Sequence, residues 1–371
     1  MPDIKMRFSS LFSECHTMRI LHVIRHLEDA GNGGVNAAVN LAYCQAQAGH
    51  HVAVAAADGS YRKLLESEGI TFFHLDHSNK IRVFIEGGKQ FYKIIHQVKP
   101  DIVHAHTMLG SVLGKLWQWC SSYGLVATVH NEFQRSVVLM NLADRVITTT
   151  KAVASSMHQR GTPQAKLRVV PYGTIGSPRS TPTGQLVPAQ LQHPAITSIG
   201  GMCVRKGMHD LIHAFYEIAD QFPEAHLYLV GEGSDRSKLE EQVSHSAWKH
   251  RIHFEGFQKD PQRYLLSTDI FVLASHKEPF GLVLAEAREA GCAVVGSNVD
   301  GIPQVLDYGK AGILVPPQDV KALAAELANL LSNPQLIQEW RHKAQQNLDW
   351  LSVDRECQEI LRVYQELSPT A

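Results

Sequence analysis

The chain has 371 residues, enough for two domains of ordinary size. Apolar residues make up 44% and charged residues 19%, which excludes a largely disordered chain. The net charge of −1 conceals a split: residues 1–190 hold 19 Lys and Arg against 12 Asp and Glu, and residues 191–371 hold 16 against 24. Halves of opposite sign suggest different partners. Cys15, Cys44, Cys120, Cys203, Cys292 and Cys357 are scattered with no C-x-x-C pair, which argues against a disulfide scaffold and a thiolate zinc site. No apolar run approaches the roughly 18 residues of a membrane span.

Residues 1–17 lack the apolar core of a signal peptide and are expected to be a disordered leader, with Met18 the expected start of the working protein. With the unpaired cysteines, this points to a cytoplasmic location. Strand candidates follow at Ile20–Ile24, His51–Ala55, Thr71–His74, Ile102–His104, Val126–Val129, Arg145–Thr149 and Leu167–Val170. A second series runs Ala195–Ile199, His226–Val230, Ile252–Phe254, Ile270–Leu273, Ala293–Gly296 and Gly312–Val315. Apolar spacing between them predicts helices, among them Val35–Ala48, His209–Gln221 and Val320–Leu331. Apolar strands alternating with helices form parallel sheets covered on both faces, so the fold class is α/β with two doubly wound domains. Residues 173–194, rich in Pro, Gly, Ser and Thr, read as a linker. The expected organisation is a leader 1–17, a first domain 18–172, the linker 173–194, a second domain 195–351, and a last amphipathic helix with its tail, 352–371.

Three segments sit where ligands bind such sheets. Gly31-Asn32-Gly33-Gly34-Val35 joins the first strand to the first helix. Gly33 and Gly34 allow a close approach to the backbone, and the helix N-terminus beyond them favours an anion. The segment is not G-x-G-x-x-G and no acidic ribose partner follows, which disfavours a dinucleotide. A tight turn with no ligand explains the same glycines. In the second domain, Arg205 and Lys206 follow the strand Ala195–Ile199. Adjacent cations there suit a diphosphate, Arg as a two-pronged fork and Lys as a point charge; the plainer alternative is a solvated loop. Glu278-Pro279-Phe280-Gly281-Leu282-Val283-Leu284-Ala285-Glu286-Ala287 follows Ile270–Leu273 and opens a helix ending near Gly291. Pro279 fits the start of that helix, and Gly281 leaves its first turn open. Glu278 and Glu286 could touch different parts of one elongated ligand, or both could be surface charges with Leu282, Val283 and Leu284 as packing.

His104 and His106 share one face of a strand end. That spacing suits a metal, but no third ligand is evident, and no metal is expected. His130 ends another strand, and a hydrogen-bonded strand-end role is open for each of these histidines. Residues 80–95 mix Lys80, Arg82, Lys89 and Lys93 with apolar residues at helical spacing. Such a segment suits either an anionic lipid surface or a sheet-covering helix with its inner face in the core.

The run Glu278–Ala287 resembles the E-x7-E motif of retaining glycosyltransferases of the GT-B fold, in particular family 4. The resemblance extends from Met18 to about Leu367, through Gly49-His50-His51-Val52, Asp101–His106, Thr128-Val129-His130, Val170–Gly173, Arg205-Lys206-Gly207, Gly231-Glu232-Gly233 and the terminal helix. It implies two Rossmann-like domains facing a cleft, with a C-terminal crossover helix. It further implies that Glu278 contacts donor-sugar hydroxyls, that Glu286 contacts the nucleotide ribose, and that the Gly281-Leu282 turn approaches the diphosphate. Lys206 matches the lysine that neutralises the diphosphate, and the Gly33-Gly34 turn would approach it from the first domain. His130 would touch a sugar hydroxyl, with His106 on the acceptor side. Many members carry an arginine five residues before that lysine; Gly201 stands there in this chain, and Arg205 is expected to substitute.

The implied activity is retaining transfer of a sugar from a nucleotide-diphosphate sugar to a hydroxyl acceptor. The acceptor is expected to be a saccharide, plausibly lipid-linked, in cell-envelope glycan synthesis (lipopolysaccharide, capsule or exopolysaccharide). Without an Asp-x-Asp motif, neither a metal nor another cofactor is expected, and no nucleic-acid partner. The basic first half suits a peripheral contact with the anionic inner face of a membrane. Two rivals remain: a GT-B nucleotide-sugar epimerase, and a non-catalytic nucleotide-sugar-binding protein, against which Glu278, Glu286 and Lys206 argue.

Overall fold

Strands such as Ile270–Leu273 and Ala293–Ser297 are buried along their whole length, as expected when helices cover both faces of a parallel sheet. The structure, a computed structural model, describes residues 17–28, 32–75, 81–179 and 185–367, and for 81–85 the backbone alone. The expected leader through residue 16, Gly31, Lys80, linker residues 180–184 and the tail beyond 367 lie outside the described residues.

The first sheet contains β1 (Arg19–His26), β2 (His51–Ala57), β3 (Thr71–His74), β4 (Ile102–Ala105), β5 (Gly124–Val129), β6 (Arg145–Thr148) and β7 (Leu167–Val169). Their order is β3-β2-β1-β4-β5-β6-β7, all parallel. The second sheet contains β8 (Ala195–Ile199), β9 (His226–Val230), β10 (Ile252–Gly256), β11 (Ile270–Leu273), β12 (Ala293–Ser297) and β13 (Ile313–Val315). Its order is β10-β9-β8-β11-β12-β13, again all parallel. Each sheet therefore grows one way from its first strand and then the other. The reversal falls between β1 and β4 in one sheet and between β8 and β11 in the other. Beyond the carboxyl ends of those strands no crossover fills the gap, which is where open α/β sheets bind ligands.

The chain divides into two compact units, cut after Arg179 and again after Leu351. The last helix, Val353–Gln365, belongs to the first unit. Its N-terminus is capped by the Ser352 hydroxyl, which accepts from the Arg355 N–H at 3.2 Å. Val353, Cys357, Ile360, Leu361 and Tyr364 pack against Ile20, Leu41, Ile102, Val126 and Ile147. At its far end Glu366 bonds Arg145 at 2.7 Å and Arg168 at 2.6 Å. Among the described residues, no helix is long and apolar enough to cross a membrane.

Two local expectations change. The first helix spans Gly33–Gln47, because the Asn32 side chain caps it by accepting from the Gly34 N–H at 3.1 Å. Gly33 and Gly34 are thus its first turn rather than the loop before it. The helix carrying Glu286 spans Leu282–Ala290 and excludes Pro279. Gly281 has φ +91°, a left-handed conformation that separates Pro279 from the helix.

Candidate active site

In the second unit the loops leaving β8 and β11 bring three predicted residues together. Arg205 and Lys206 lie on a short 3-10 turn, Val204–Lys206. Glu278 is 7% exposed, and a carboxylate so buried needs a charged or hydrogen-bonding partner. Lys206 Nζ lies 2.5 Å from Glu278 Oε2, and Arg205 Nη1 lies 3.7 Å from the same oxygen. Arg205 Nη1 also donates to the Lys277 carbonyl at 2.8 Å, and the Ser275 hydroxyl donates to Glu278 Oε2 at 3.3 Å. The Glu278 backbone is pinned as well: its N–H donates to Asp300 Oδ2 at 2.8 Å, and its carbonyl accepts from Gly301 at 3.0 Å. Asp300 was not singled out in the sequence, although Asp300-Gly301 is a turn dipeptide. Beyond this loop the helix Leu282–Ala290 starts without a side-chain cap, and the Leu284 N–H of its first turn donates to the Gly281 carbonyl at 2.9 Å. Glu286 is half-buried on that helix, about one turn from its start.

The first unit presents a different array at its own reversal point. A Cβ at Gly34 would come within 2.9 Å of the His130 ring, so only glycine lets the first helix approach that histidine. Neither His130 ring nitrogen points outward. Its Nδ1 bonds the Tyr172 hydroxyl, and its Nε2 lies 2.9 Å from His106 Nδ1. His106 Nε2 is 2.9 Å from His22 Nδ1, and His22 Nε2 is 2.7 Å from Gln45 Oε1. Gln45 Nε2 donates to the Tyr364 hydroxyl at 3.2 Å. His104 Nδ1 lies 2.6 Å from the same hydroxyl, and its Nε2 lies 2.7 Å from Thr128 Oγ1.

Burial pushes the His22 and His130 imidazoles down to about 4. It also holds His104 and His106 well below the usual histidine range, neighbouring imidazoles adding to the effect. A neutral imidazole has one donor and one acceptor. Because the Gln45 carbonyl accepts from His22 Nε2–H, His22 Nδ1 must accept from His106 Nε2–H. His106 Nδ1 then accepts from His130 Nε2–H, and His130 Nδ1 from Tyr172. The network is a one-way chain in which His22, His106 and His130 each carry the proton on Nε2.

His22 is the third ligand that was not evident in the sequence; the register of β1 and β4 sets it opposite His104. Among the described residues, His22, His104 and His106 are the group of three His, Cys, Asp or Glu side chains whose ligand atoms converge, within 4.8 Å of one another. All six of their ring nitrogens are engaged in the hydrogen bonds above. A metal ion would have to displace several of them.

Parallel sheets, each with polar groups gathered at its reversal point, define a two-unit α/β protein. Known proteins agree. The family model for Glycosyltransferase Family 4 matches residues 31–174, and that for Glycosyl transferases group 1 matches residues 188–347. The glycogen synthase of Mycobacterium tuberculosis is 28% identical over 285 residues, 69% of this chain and 67% of that one. The phosphatidyl-myo-inositol mannosyltransferase of Mycolicibacterium smegmatis is 35% identical over 169 residues, 44% of this chain and 42% of that one. The crystal structure of Anabaena Alr3699/HepE with UDP and glucose shares the fold, with a TM-score of 0.79 at 20% identity, over 94% of this chain and 99% of that one. The chain belongs to the family 4 glycosyltransferases of GT-B fold, and it is an enzyme of that class.

Proposed function

We propose that the enzyme transfers a sugar from a nucleotide-diphosphate sugar, with retained anomeric configuration, to a hydroxyl of a lipid-linked saccharide in cell-envelope glycan synthesis. The observation that carries this reading is the group of the half-buried Lys206 and Arg205 around the buried Glu278 carboxylate beyond β8 and β11. Before a donor arrives, Glu278 offsets part of the charge of the two cations. When a diphosphate enters, Lys206 and Arg205 turn to its oxygens, and the Glu278 carboxylate accepts hydrogen bonds from sugar hydroxyls. As the bond from the anomeric carbon to the phosphate oxygen breaks, negative charge grows on that oxygen and the cations stabilise it. The acceptor oxygen bonds the anomeric carbon from the same face, and its proton passes to the departing phosphate oxygen. The protein's main work is positioning and charge stabilisation. The scheme uses no divalent ion. That HepE has been crystallised with UDP and with UDP-glucose supports a nucleotide-sugar donor.

A lipid acceptor is supported by the name of the mycobacterial mannosyltransferase and by the surface of the first unit. Trp119 is 85% exposed and Leu116 48%, at the end of the helix Met108–Gln118. The helix Ile81–Val98 touches it through the rings of Tyr92 and Trp117, 4.8 Å apart. Phe91, Ile94 and Ile95 of that second helix enter the core, and Lys89 and Lys93 face solvent. Exposed apolar groups beside cations suit an anionic bilayer, such as the cytoplasmic face of a membrane.

The test is transfer from a panel of nucleotide-diphosphate sugars to lipid-linked saccharides in anionic vesicles, with the product anomer read by NMR. Retained configuration and full activity in EDTA are expected. Donor turnover to an epimer without acceptor would replace this reading with an epimerase, and loss in EDTA restored by Mg²⁺ would remove the metal-free scheme. Glu286→Ala should weaken donor binding in calorimetry by about 1.5–3 kcal/mol, the worth of a hydrogen bond to a charged group. Replacing Lys89 and Lys93 with Glu should reduce vesicle binding and spare donor binding.

A further inference from the structure

The helix Met208–Ile218 begins directly after Arg205-Lys206-Gly207. Residues four apart on a helix lie one above the other on the same face. His209 and His213 stand in that relation, and their Nε2 atoms are 3.2 Å apart. Two imidazoles on one tetrahedral ion at about 2.0–2.1 Å hold their nitrogens roughly 3.3–3.4 Å apart. The spacing of the two nitrogens is therefore close to that of a chelate.

With both rings neutral, a single proton lies between the two facing nitrogens, and one of them offers a lone pair. The Gln242 side-chain nitrogen also lies 3.2 Å from His213 Nε2, so His213 accepts and His209 donates. An ion that replaces the His209 proton would take both Nε2 atoms as ligands once the two rings, whose centroids are now 4.3 Å apart, turn toward it. Burial holds the His213 imidazole below its ordinary range, with His209 adding to the effect and Asp210 and Glu217 opposing it. Behind the first ring, Asp210 Oδ1 lies 3.8 Å from His209 Nδ1, on the side where metal-binding histidines commonly face a carboxylate. Asp210 is itself held by His276 Nε2 at 2.6 Å.

We propose that His209 and His213 form a bidentate site for a borderline divalent ion of the zinc, nickel and copper class, with water completing the coordination. The site is separate from the buried histidines of the first unit and from the donor-binding groups. It adjoins the donor-binding groups: the His276 backbone N–H donates to the Arg205 carbonyl at 2.8 Å. An ion on His209 adds positive charge beside the carboxylate that holds His276.

Calorimetric titration of the full chain with zinc chloride tests the site, with Co²⁺ absorption reporting the ligand set. Wild type should bind a single ion tightly, and His209→Gln and His213→Gln should each weaken it roughly tenfold or more. His226 Nδ1 and His253 Nε2 form another close pair, 3.0 Å apart, so His253→Gln is the control and should leave the tight ion in place. Undiminished zinc binding in the His209→Gln, His213→Gln double variant overturns the proposal. So does loss of the ion in His253→Gln, or a wild type that binds no zinc at micromolar concentration.

Discussion

The two units share one scaffold and treat buried polarity in opposite ways. At the β8–β11 reversal point charge is retained: Lys206 and Arg205 meet the Glu278 carboxylate at 2.5 and 3.7 Å. At the β1–β4 reversal point four imidazoles lie together, with no carboxylate among the hydrogen-bond partners that link them. They give up their charge, and His22, His106 and His130 each become one donor and one acceptor in a directed chain. Burial tolerates ions that are paired and discharges those that are not. The consequence is a division of labour. Paired charges can be redistributed toward an anionic ligand, whereas a neutral chain can only orient.

The largest expected effect comes from forcing charge into the neutral half. A histidine whose folded pKa is depressed contributes stability that is present above its unfolded value of about 6.5 and is lost as pH falls toward the folded value. For His22 and His130 that folded value is about 4, and His104 and His106 shift the same way. Thermal unfolding followed from pH 7 to pH 5 should therefore show a steep loss. Each imidazole can contribute up to about 1.4 kcal/mol per pH unit. Gln45→Glu sets a carboxylate against His22 and should make the acid limb shallower. A limb unchanged in that variant would break the link between neutrality and burial. At pH 7, nitrogen-15 NMR should show Nε2–H tautomers at His22, His106 and His130, and one Nδ1–H form among them would break the directed chain.

Next in size is loss of charge in the other half. Lys206→Ala should lower kcat more than it raises KM, by about a hundredfold, since the leaving diphosphate gains charge only as the bond breaks. Arg205→Ala asks whether Arg205 covers for the arginine that Gly201 lacks; full activity would show that it does not. Space does not forbid that arginine. A Cβ at Gly201 would come no closer than 3.7 Å to the Glu232 carbonyl, and Gly201→Arg should fold and rescue part of the Arg205→Ala loss in steady-state assays.

What was legible in the sequence was whatever depends on neighbours along the chain. The thirteen strands of the described residues follow from short apolar runs, most plainly the central ones, which are buried on both faces. Glu278, Lys206 and Arg205 were legible too, since each follows a strand end. His22 was not. It sits mid-strand among apolar residues, and only the β1–β4 register sets it opposite His104. Gln45 and Tyr364 were hidden for the same reason: they meet across 319 residues, on two helices that read as ordinary amphipathic faces. Pro279 was misplaced because the left-handed turn at Gly281 is a backbone state that residue spacing does not encode.

The smallest prediction extends the neutral habit of the first unit to a carboxyl. Glu356 is 3% exposed, on the helix Val353–Gln365, and its Oε2 accepts from the Gly173 N–H at 2.8 Å. That bond and the nearby Arg355 favour the charged form, but burial outweighs them and pushes the carboxyl up to about 8. The sign is opposite to that of the histidines. The folded chain keeps a proton that the unfolded chain releases above about 4.5, so this contribution is present at low pH and is lost as pH rises toward 8. Glu356→Gln preserves an acceptor for Gly173 and has no proton to lose. It should stabilise the protein at pH 8 by on the order of 1 kcal/mol and do less at pH 6. Equilibrium unfolding at the two pH values measures the difference. An equal effect at both would mean that Glu356 is ionised in the folded chain, and that the first unit, like the second, buries a charge.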